Sequence, residues 1–544
     1  MTEEHGHKIS SADDPGKDPA AASRPYLLAA NMLKDLGRDE SALVLAKKSL
    51  AVHETVDALK TGFWVALRLR VHADAESCLV RLRERLDHAD ARNQAWLENA
   101  EQKFRNLPIN AEALMPLLRH RVPCQFVPVT KRICYVLHNS LPFSSGGYAT
   151  RGHGMARGLQ DSGYEIIVVN RPGFPLDVTD LQAGEVTPGD LIDGIPYRRI
   201  LAPTRRSHKG QDYVLSAAEA LKSALRELRP ELVMAASNHP NALLAQIAAR
   251  ALGIPFIYEI RGLWEITRWS REPGFRETRE FADQARLETI SAQNADHVFT
   301  LTAQLRDELV IRGVPGERIS LLPNSSDPAR FTPRPRDAAL ASRLGISENV
   351  PVIGYIGSFV QYEGLEDLTR ACAILAGRGV DFRLLLVGNE NASGNDRGPI
   401  TAEIERIAAE GGLTDRLIMP GRVPHHEVES WYSLIDIAPF PRKPQPVTEM
   451  VSPMKPLEAM AMAKAVLVSS VGALRDMVIP EETGLVFDKG NIDSMAAGLE
   501  RLIRDPALRQ RLGARAREWV QQERTWKITA RKAKAVIDRI VASA

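Results

Sequence analysis

The stretch that decides the fold is residues 133–170, which read ICYVLHNSLPFSSGGYATRGHGMARGLQDSGYEIIVVN. Residues 133–138 form an apolar run typical of a buried strand, and residues 165–170 are a second such run. Between them, residues 148–161 have the periodicity of a helix. A strand, a helix and a strand in this order predict a parallel sheet that helices cover on both faces.

The alternation continues towards the C-terminus in two series, separated by a Pro-rich linker at residues 331–335. Further apolar runs occur at 232–236, 256–260 and 297–301 in the first series, and at 352–356, 383–387, 417–419, 435–439, 466–469 and 485–487 in the second. They predict two doubly wound, Rossmann-like α/β domains, over residues 131–328 and 336–522, that face each other across a cleft. Ligands of such folds bind beyond the carboxyl ends of the strands, so the loops there are the candidate sites.

The N-terminal side has a different pattern. Residues 1–23 are polar and predict a disordered tail, whereas residues 24–125 lack strand signals and carry apolar residues at helical spacing. Turn segments at 39–41 and 74–77 lie one helical hairpin apart, which predicts an all-α region of two or three tetratricopeptide-like hairpins. An unrelated helical bundle that caps the next domain explains the pattern equally well.

Composition excludes several classes of protein. The chain has 544 residues with 70 basic and 68 acidic side chains, and this net charge of +2 argues against a dedicated nucleic-acid binder. Its four cysteines are scattered without metal-ligand spacing, which indicates neither a disulfide framework nor a structural metal. The N-terminus lacks the apolar core of a signal peptide, and no segment is apolar enough to span a bilayer. We therefore expect a cytoplasmic protein in which any phosphate chemistry is local.

A paired glycine stands between the first predicted strand and its helix. The backbone N–H groups of Gly146 and Gly147 can approach an anion closely, and the helix dipole favours a diphosphate there. Such a pair is more often only a tight connection, and the Gly-x-Gly-x-x-Gly fingerprint is absent after this strand.

Residues 452–461, SPMKPLEAMA, are the most informative segment of the second domain. Ser452 is a favourable N-cap and Pro453 fits the first helical position, so we expect a helix to begin there. Its free N–H groups and Lys455 would bind phosphate, and Glu458 would accept hydrogen bonds from both hydroxyls of a ribose. A capped helix with an ordinary Lys–Glu surface pair explains these residues equally well.

Short motifs recur in a fixed order along both α/β domains: GG at 146–147, NH at 238–239, LPN at 322–324, GYIG at 354–357, VG at 387–388, GRV at 421–423 and PLEAMA at 456–461, followed by Gly472 and TG at 483–484. This ordered series resembles the family-4 retaining glycosyltransferases of the GT-B fold. The resemblance covers roughly residues 131–526 and implies transfer of a sugar from a UDP- or GDP-linked donor, with retention of anomeric configuration. The acceptor would be a glycan, a lipid-linked or another hydroxyl compound, in cell-surface polysaccharide or glycoconjugate biosynthesis.

The resemblance also implies a donor site made of four parts. These are a glutamate that holds the ribose, a loop whose amides contact the diphosphate, a turn beside the nucleobase, and a glycine loop that closes over donor and acceptor. In that order the residues are Glu458; Ser452 and Met454; Arg422 and Val423; and Gly146 and Gly147. The last helix, residues 523–544, would cross back to the first α/β domain, which is the acceptor domain.

Departures from the family pattern concern the reacting groups. The first glutamate of the family's motif falls on Met450, and we expect Glu449 to take its place. The family's active-site histidine falls on Arg261, which can bind a phosphate or a sugar hydroxyl but cannot act as a general base. We expect Arg261 and Glu449 to act as catalytic residues together with His239, which follows a strand of the same domain as Arg261.

Another departure from the family pattern concerns the positive charges that would bind the diphosphate. The family's diphosphate-binding Arg and Lys fall near Ser358 and Glu363, so two positive charges are lost, and we expect Lys455 to supply one of them. No Asp-x-Asp triplet occurs, which argues against a metal-dependent glycosyltransferase. We expect no metal and no cofactor, because the nucleotide-sugar is a co-substrate.

Other functions stay open at this stage. A nucleotide-sugar epimerase or a phosphorylase has the same fold, and the lost charges also fit a degenerate glycosyltransferase that acts as a scaffold through its helical region. That region is a candidate for binding a protein partner. Basic residues at 198–199 and 205–209 are usually a solvated loop, but they would also suit peripheral contact with the inner face of a membrane.

Overall fold

The computed structural model describes residues 18–390 and 397–543. The chain divides into two compact units. One unit ends at Leu114 and includes Arg206–Tyr213, and the other comprises Met115–Arg205 and Val214 onwards. The sequence predicted residues 206–213 as part of the first α/β domain, but in the structure they belong to the helical unit. There Gln211 Oε1 accepts a hydrogen bond from the backbone N–H of Asn110 at 3.0 Å.

The helical unit is built from α1 (Pro19–Asp35), α2 (Asp39–Val52), α3 (Val56–Leu69), α4 (His72–Arg85) and α5 (Ala91–Arg105), with α6 (Ala111–Arg119) following. Helix α1 packs on α2, and α3 packs on α4. The predicted disordered tail is too long, because Asp18 caps α1 by accepting from Ala20 N at 3.0 Å and Pro19 fits the first turn. Residues 1–17 of that predicted tail lie outside the described residues.

The first α/β domain contains β1 (Val129–Leu137), α7 (Gly147–Asp161), β2 (Glu165–Asn170), β3 (Gly189–Ile192), β4 (Ile195–Arg198), α8 (Gly210–Leu228), β5 (Pro230–Ala236), α9 (His239–Leu252), β6 (Phe256–Ile260), α10 (Trp264–Trp269), α11 (Arg279–Asn294), β7 (His297–Thr300), α12 (Ala303–Ile311) and β8 (Ile319–Leu321). The strand order is β3-β4-β2-β1-β5-β6-β7-β8, and all neighbours are parallel except β3 and β4. The central strands are buried and largely apolar over their carboxyl-terminal halves because both faces of the sheet are covered.

The antiparallel pair β3 and β4 was not predicted. Its turn, Asp193 and Gly194, has positive φ at both residues (49° and 77°), which is the geometry of a tight hairpin. Just after β4, Arg199 is buried, and its guanidinium pairs with Asp190 and lies 4.8 Å above the ring of Phe143. The reading of residues 198–199 as part of a solvated basic loop is therefore wrong for Arg199.

The second α/β domain contains α13 (Ala338–Arg343), β9 (Val352–Ile356), α14 (Leu365–Gly377), β10 (Arg383–Val387), α15 (Pro399–Glu410), β11 (Leu417–Gly421), α16 (Val428–Leu434), β12 (Ile437–Phe440), α17 (Pro446–Met450), α18 (Lys455–Ala461), β13 (Ala465–Ser469), α19 (Gly472–Arg475), β14 (Leu485–Phe487), α20 (Ile492–Arg504) and α21 (Pro506–Glu523). Its parallel sheet has the order β11-β10-β9-β12-β13-β14. Strands β9 and β12 form the switch point, and the carboxyl ends of both sheets border one cleft.

The last helix, α22 (Trp526–Ala542), packs against α7 of the first α/β domain. The approach is so close that a Cβ on Gly154 would lie 2.4 Å from the Trp526 ring, and one on Gly158 would lie 2.5 Å from the Trp526 carbonyl oxygen. Glycine is therefore required at both positions. Among helices of the described residues, none combines the length and apolar character needed to cross a bilayer.

Candidate active site

The cleft between the two α/β domains has a volume of about 660 Å³. Its lining includes all the predicted donor-site residues and one predicted catalytic residue: Gly146, Gly147, Arg422, Val423, Ser452, Met454, Lys455, Glu458 and Arg261. Residues that are far apart in the chain, from loops of both domains, therefore meet at one site.

The glycine loop forms one edge of the cleft. Helix α7 begins at Gly147 with Gly146 as its N-cap and no side-chain cap, so the first N–H groups of the helix carry no capping side chain. A Cβ added to Gly147 would lie 3.7 Å from Met454 Cε, so any side chain at this position would fill the space between the two loops. The missing side chains leave room for a ligand to approach these N–H groups.

Arg261 lies in the wall that the first α/β domain contributes to the cleft, and hydrogen bonds hold it on several sides. It is 4% exposed, and its Nη1 donates to the Tyr148 carbonyl at 2.7 Å. Its Nη2 donates to Glu259 at 2.9 Å and also to the hydroxyl of Tyr135. A second arginine, Arg151, donates to Glu259 from Nε at 2.8 Å.

Glu259 is fully buried and accepts hydrogen bonds from both arginines, Arg151 and Arg261. Burial alone would raise the pKa of its carboxyl, but Arg261 and Arg151 outweigh burial and hold the pKa at about 2. In return, Glu259 raises the pKa of Arg261 although burial opposes it. Two cations and one anion leave this wall with one net positive charge.

The segment of residues 452–461 differs from the prediction in the residue at which its helix begins. Helix α18 begins at Lys455 with Met454 as its N-cap, not at Pro453 with Ser452 as N-cap. With Ser452 as N-cap, its carbonyl would need the N–H of residue 456, which is a proline and has none. Instead the Ser452 carbonyl accepts from Asn324 Nδ2 of the first α/β domain at 2.7 Å.

Lys455 is the first residue of α18 and lies across the backbone of Gly357. Its Nζ donates to the Tyr355 hydroxyl at 2.5 Å and lies 3.9 Å from Glu363 Oε1. A Cβ on Gly357 would lie 2.2 Å from Lys455 Cε, so only glycine there allows this path of the side chain. Burial lowers the pKa of Lys455, while Glu363 opposes that shift.

Arg442 supplies a second cation that the sequence reasoning missed. It lines the cleft two residues after β12, and donates to both carboxylate oxygens of Glu363, at 2.7 and 3.2 Å. Burial would raise the pKa of Glu363, but Arg442 and then Lys455 bring it down to about 2. The position of Arg442 at the carboxyl end of a predicted strand was the signal that could have revealed it.

Glu458 lies one turn into α18 and lines the cleft. Burial raises the pKa of its carboxyl, and the Tyr432 hydroxyl donates to Oε2 at 3.4 Å. Arg422 and Val423 directly follow β11 on the same side of the cleft. The turn after them is held by Arg330, which donates to the ring Nε2 of His425 at 2.8 Å and to its carbonyl at 3.0 Å.

Two predicted catalytic residues do not line the cleft. Glu449 is turned away, because its carboxylate accepts from the backbone N–H of Gly472 at 2.7 Å and from Lys489 Nζ at 2.6 Å. His239 is buried as the first residue of α9, with its Nδ1 3.4 Å from Glu288 Oε2. The structure corrects both assignments, since neither side chain is placed to touch a ligand in the cleft.

Within residues 18–390 and 397–543, no group of three or more His, Cys, Asp and Glu side chains has an arrangement that could hold a metal ion. The arginine and lysine side chains that line the cleft are Arg151, Arg261, Arg422, Arg442 and Lys455.

Two α/β domains that face one cleft, with the glycine loop on one side and the loop before α18 on the other, define a protein of the GT-B fold class. Residues 338–519 match the family described as Glycosyl transferases group 1, and residues 146–325 match the Glycosyl transferase 4-like domain. Together the two ranges cover more than half of the chain. The protein belongs to the family-4 glycosyltransferases, which confirms the family and the GT-B fold expected from the sequence.

Individual relatives support this assignment. The chain is 26% identical over 278 residues to alpha-D-kanosaminyltransferase of Streptomyces kanamyceticus, covering 51% of this chain and 68% of the relative. Sucrose-phosphate synthase from Thermosynechococcus elongatus has a similar fold, with a TM-score of 0.61, 21% identity, and coverage of 76% of this chain and all of that one. Anabaena HepE, solved in complex with UDP-glucose, has a TM-score of 0.57, 15% identity and coverage of 75% and 99%.

Proposed function

We propose that the protein is a retaining, metal-independent glycosyltransferase that transfers a sugar from a UDP- or GDP-linked donor to a hydroxyl acceptor. The observation that carries the proposal is the single cleft that brings the glycine loop and Arg261 of one domain together with Lys455 and Glu458 of the other. A site for a nucleotide-sugar needs hydrogen-bond donors for the diphosphate and a carboxylate for the ribose.

In this proposal the diphosphate lies between the first N–H groups of α7 and the side chains of Lys455 and Arg442. Charge-assisted hydrogen bonds to phosphate are the strong ones, and they gain strength where the negative charge develops as the diphosphate leaves. The expected absence of a metal rests on these two cations taking the place of a divalent ion.

Glu458 would hold the ribose hydroxyls, and Arg422 and Val423 would border the base. The acceptor hydroxyl would attack on the face from which the diphosphate leaves, so that the anomeric configuration is retained. No protein nucleophile is assigned, because Arg261 stays cationic and Glu449 is turned away. Positioning and charge stabilisation would supply the rate acceleration.

For the acceptor, we propose a compound with free hydroxyl groups, as glycans and cyclitols have. Relatives support this class: one is named for 2-deoxystreptamine in Streptomyces kanamyceticus, and another for D-inositol 3-phosphate in Nocardia farcinica. A role in cell-surface polysaccharide or glycoconjugate synthesis, with contact to a membrane or to a partner protein through the helical unit, is a further part of this proposal.

The experiment compares the wild type with Glu458→Ala, and with Glu500→Ala as a matched surface control on α20. Calorimetry measures UDP, GDP and their sugars with and without EDTA, and NMR follows the anomeric configuration of the product. Loss of two charge-assisted hydrogen bonds to the ribose should lower kcat/KM at least about 100-fold in Glu458→Ala and leave Glu500→Ala unchanged.

Each alternative gives a different result. An epimerase would convert the nucleotide-sugar without releasing nucleoside diphosphate, a phosphorylase would require inorganic phosphate, and a scaffold would bind none of the nucleotides. Near-normal turnover in Glu458→Ala would contradict the site, and inhibition by EDTA that divalent ions reverse would contradict the metal-independent mechanism.

A further inference from the structure

Helix α1 of the helical unit is apolar on two opposite faces. One face carries Ala30, which is fully buried, and Leu33, which packs against the core of the unit. The opposite face carries Leu28, Met32 and Leu36, whose exposed fractions are 57%, 67% and 71%. A helix that packs on its own unit through one face is normally polar on the other, so the second apolar face indicates that another surface covers it.

Hydrogen bonds fix which face of α1 is turned inwards. The Ser23 carbonyl accepts from Ser49 Oγ of α2 at 3.2 Å, and Asn31 Oδ1 accepts from Thr61 Oγ1 of α3 at 3.1 Å. At 100° per residue, both residues lie on the side of α1 away from Met32. The helix therefore cannot turn to bury its second apolar face without breaking these contacts.

The three exposed residues form one row, which we name the α1 stripe. Their spacing of four residues places them about 6 Å apart along the helix, in line with its axis. Residues 1–17 are poorly suited to cover the stripe, because Met1 and Ile9 are the large apolar residues in that part of the sequence. The occupant must therefore bring an apolar row of its own.

A second copy of the chain has such a row. Leu28 and Leu36 stand four residues to either side of Met32, so the stripe is symmetric about Met32. In an antiparallel pair of α1 helices with Met32 on the twofold axis, each Leu28 faces Leu36 of the second copy. A twofold interface needs such a self-complementary surface.

The charges that flank the stripe favour the same arrangement. Arg24 is exposed one turn before Leu28, at the N-terminal end of the row. Asp35, with 75% of its side chain exposed, and Glu40, also exposed, stand at the other end. Antiparallel pairing brings each Arg24 to these carboxylates and to the negative end of the other helix, whereas parallel pairing would bring like charges together.

We propose that the α1 stripe is a homodimer interface, in which two copies of the chain pair their α1 helices in antiparallel orientation about Met32. Three large side chains from each copy bury less than the roughly 1,200 Å² of a standard stable interface. We therefore expect a weak dimer, with a Kd of about 1–100 µM. The inference does not depend on the proposed sugar transfer.

The first test measures the association of the full chain by sedimentation velocity, at concentrations from about 1 to 300 µM. The wild type should change from one copy to two as the concentration rises. Met32→Glu places two like charges at the twofold axis and should weaken the association at least about 100-fold. Val80→Glu is the matched control, because Val80 on α4 is also exposed, at 43%, and lies outside the stripe. It should associate as the wild type does.

The second test determines the orientation of the two helices by oxidative cross-linking of single cysteines. The background is Cys124→Ser, because Cys124 is exposed, whereas Cys78, Cys134 and Cys372 are buried.

Only positions that face each other can form a disulfide. Met32→Cys should therefore cross-link to itself. Leu28→Cys and Leu36→Cys should each remain uncross-linked alone, and should cross-link to each other in an equal mixture.

Other outcomes would overturn the proposal. A wild type that stays a single copy over the whole concentration range would exclude the dimer. A dimer that Met32→Glu leaves unchanged would place the interface on another surface. Self-cross-linking by Leu28→Cys and Leu36→Cys would indicate a parallel pair and contradict the arrangement about Met32.

Discussion

Replacing Glu363 by Gln tests the ion pairs in the wall that the second α/β domain contributes to the cleft. The carboxylate of Glu363 is 4% exposed, contacts Arg442 through both oxygens, and lies 3.9 Å from Lys455 Nζ. Its two cations lower its pKa from 4.5 to about 2. A shift of that size corresponds to about 3 kcal/mol of folding free energy at neutral pH, within the range of roughly 3–5 kcal/mol for breaking a buried ion pair.

The sign follows from the direction of the shift. The folded-state pKa lies below the unfolded value, so the stabilisation is complete above about pH 4.5 and is lost as the pH falls towards 2. Glu363→Gln should therefore be less stable than the wild type by the same amount at every pH from 5 to 8. For a domain of this size, 3 kcal/mol corresponds to a fall of about 6–12 °C in the midpoint of its unfolding transition.

The assay is differential scanning calorimetry, with Glu403→Gln as the control. Glu403 is a partly exposed carboxylate of the same domain that pairs with Arg370 and Arg406, and its loss should move the midpoint little. UDP binding by Glu363→Gln should be retained, because both cations remain. An unchanged midpoint in Glu363→Gln, or a gap that closes between pH 8 and 5, would refute the ion-pair account.

Further predictions concern the same wall. Lys455→Met should weaken UDP binding about 10–100-fold, measured by calorimetry, because one charge-assisted contact is lost. Lys455→Arg should recover part of the lost affinity. An affinity of Lys455→Met equal to that of the wild type would show that Lys455 does not bind the diphosphate. Gly357→Ala should weaken UDP binding by displacing the Lys455 side chain, and should have no added effect in the Lys455→Met background; additive effects would contradict that route. Burial raises the pKa of Glu458, so kcat/KM should begin to fall with acidification at a higher pH than an exposed glutamate would give, and a Glu458→Gln profile should lack that limb.

Much of the fold could be predicted because both sheets are parallel and buried. Their strands are short apolar runs between amphipathic helices, and β2, β6, β9 and β10 have the bounds expected from the sequence. The hairpin β3–β4 was missed because its strands are short and partly exposed, although the Asp193-Gly194 pair was a signal for it. Helix α18 was placed two residues early because the N-cap signal of Ser452 was weighed without the missing N–H of Pro456.

The donor-site loops could be predicted because a shared motif fixes where they lie in the fold. The pairing of the charged side chains could not be predicted from the sequence, since it depends on which side chains of distant loops come into contact in the fold. In the sequence, Glu363 stands near the place where the family has a cation, which suggested that a positive charge is lost. In the structure, Glu363 is the common partner of Arg442, 79 residues downstream, and of Lys455, the first residue of α18. Glu449 failed for the same reason, because Gly472 and Lys489 were not predicted to be its partners.

The two walls of the cleft arrange their buried charged side chains in the same way. On the acceptor side Arg151 and Arg261 share Glu259, and on the donor side Arg442 and Lys455 share Glu363. Unpaired buried cations would be costly, whereas two cations around one carboxylate keep a single net positive charge on each wall at a fixed position. The two remaining charges face the cleft from opposite sides, where the proposed mechanism requires positive charge for the leaving diphosphate. Replacing either carboxylate should then damage folding more than donor binding, while replacing a cation should do the reverse.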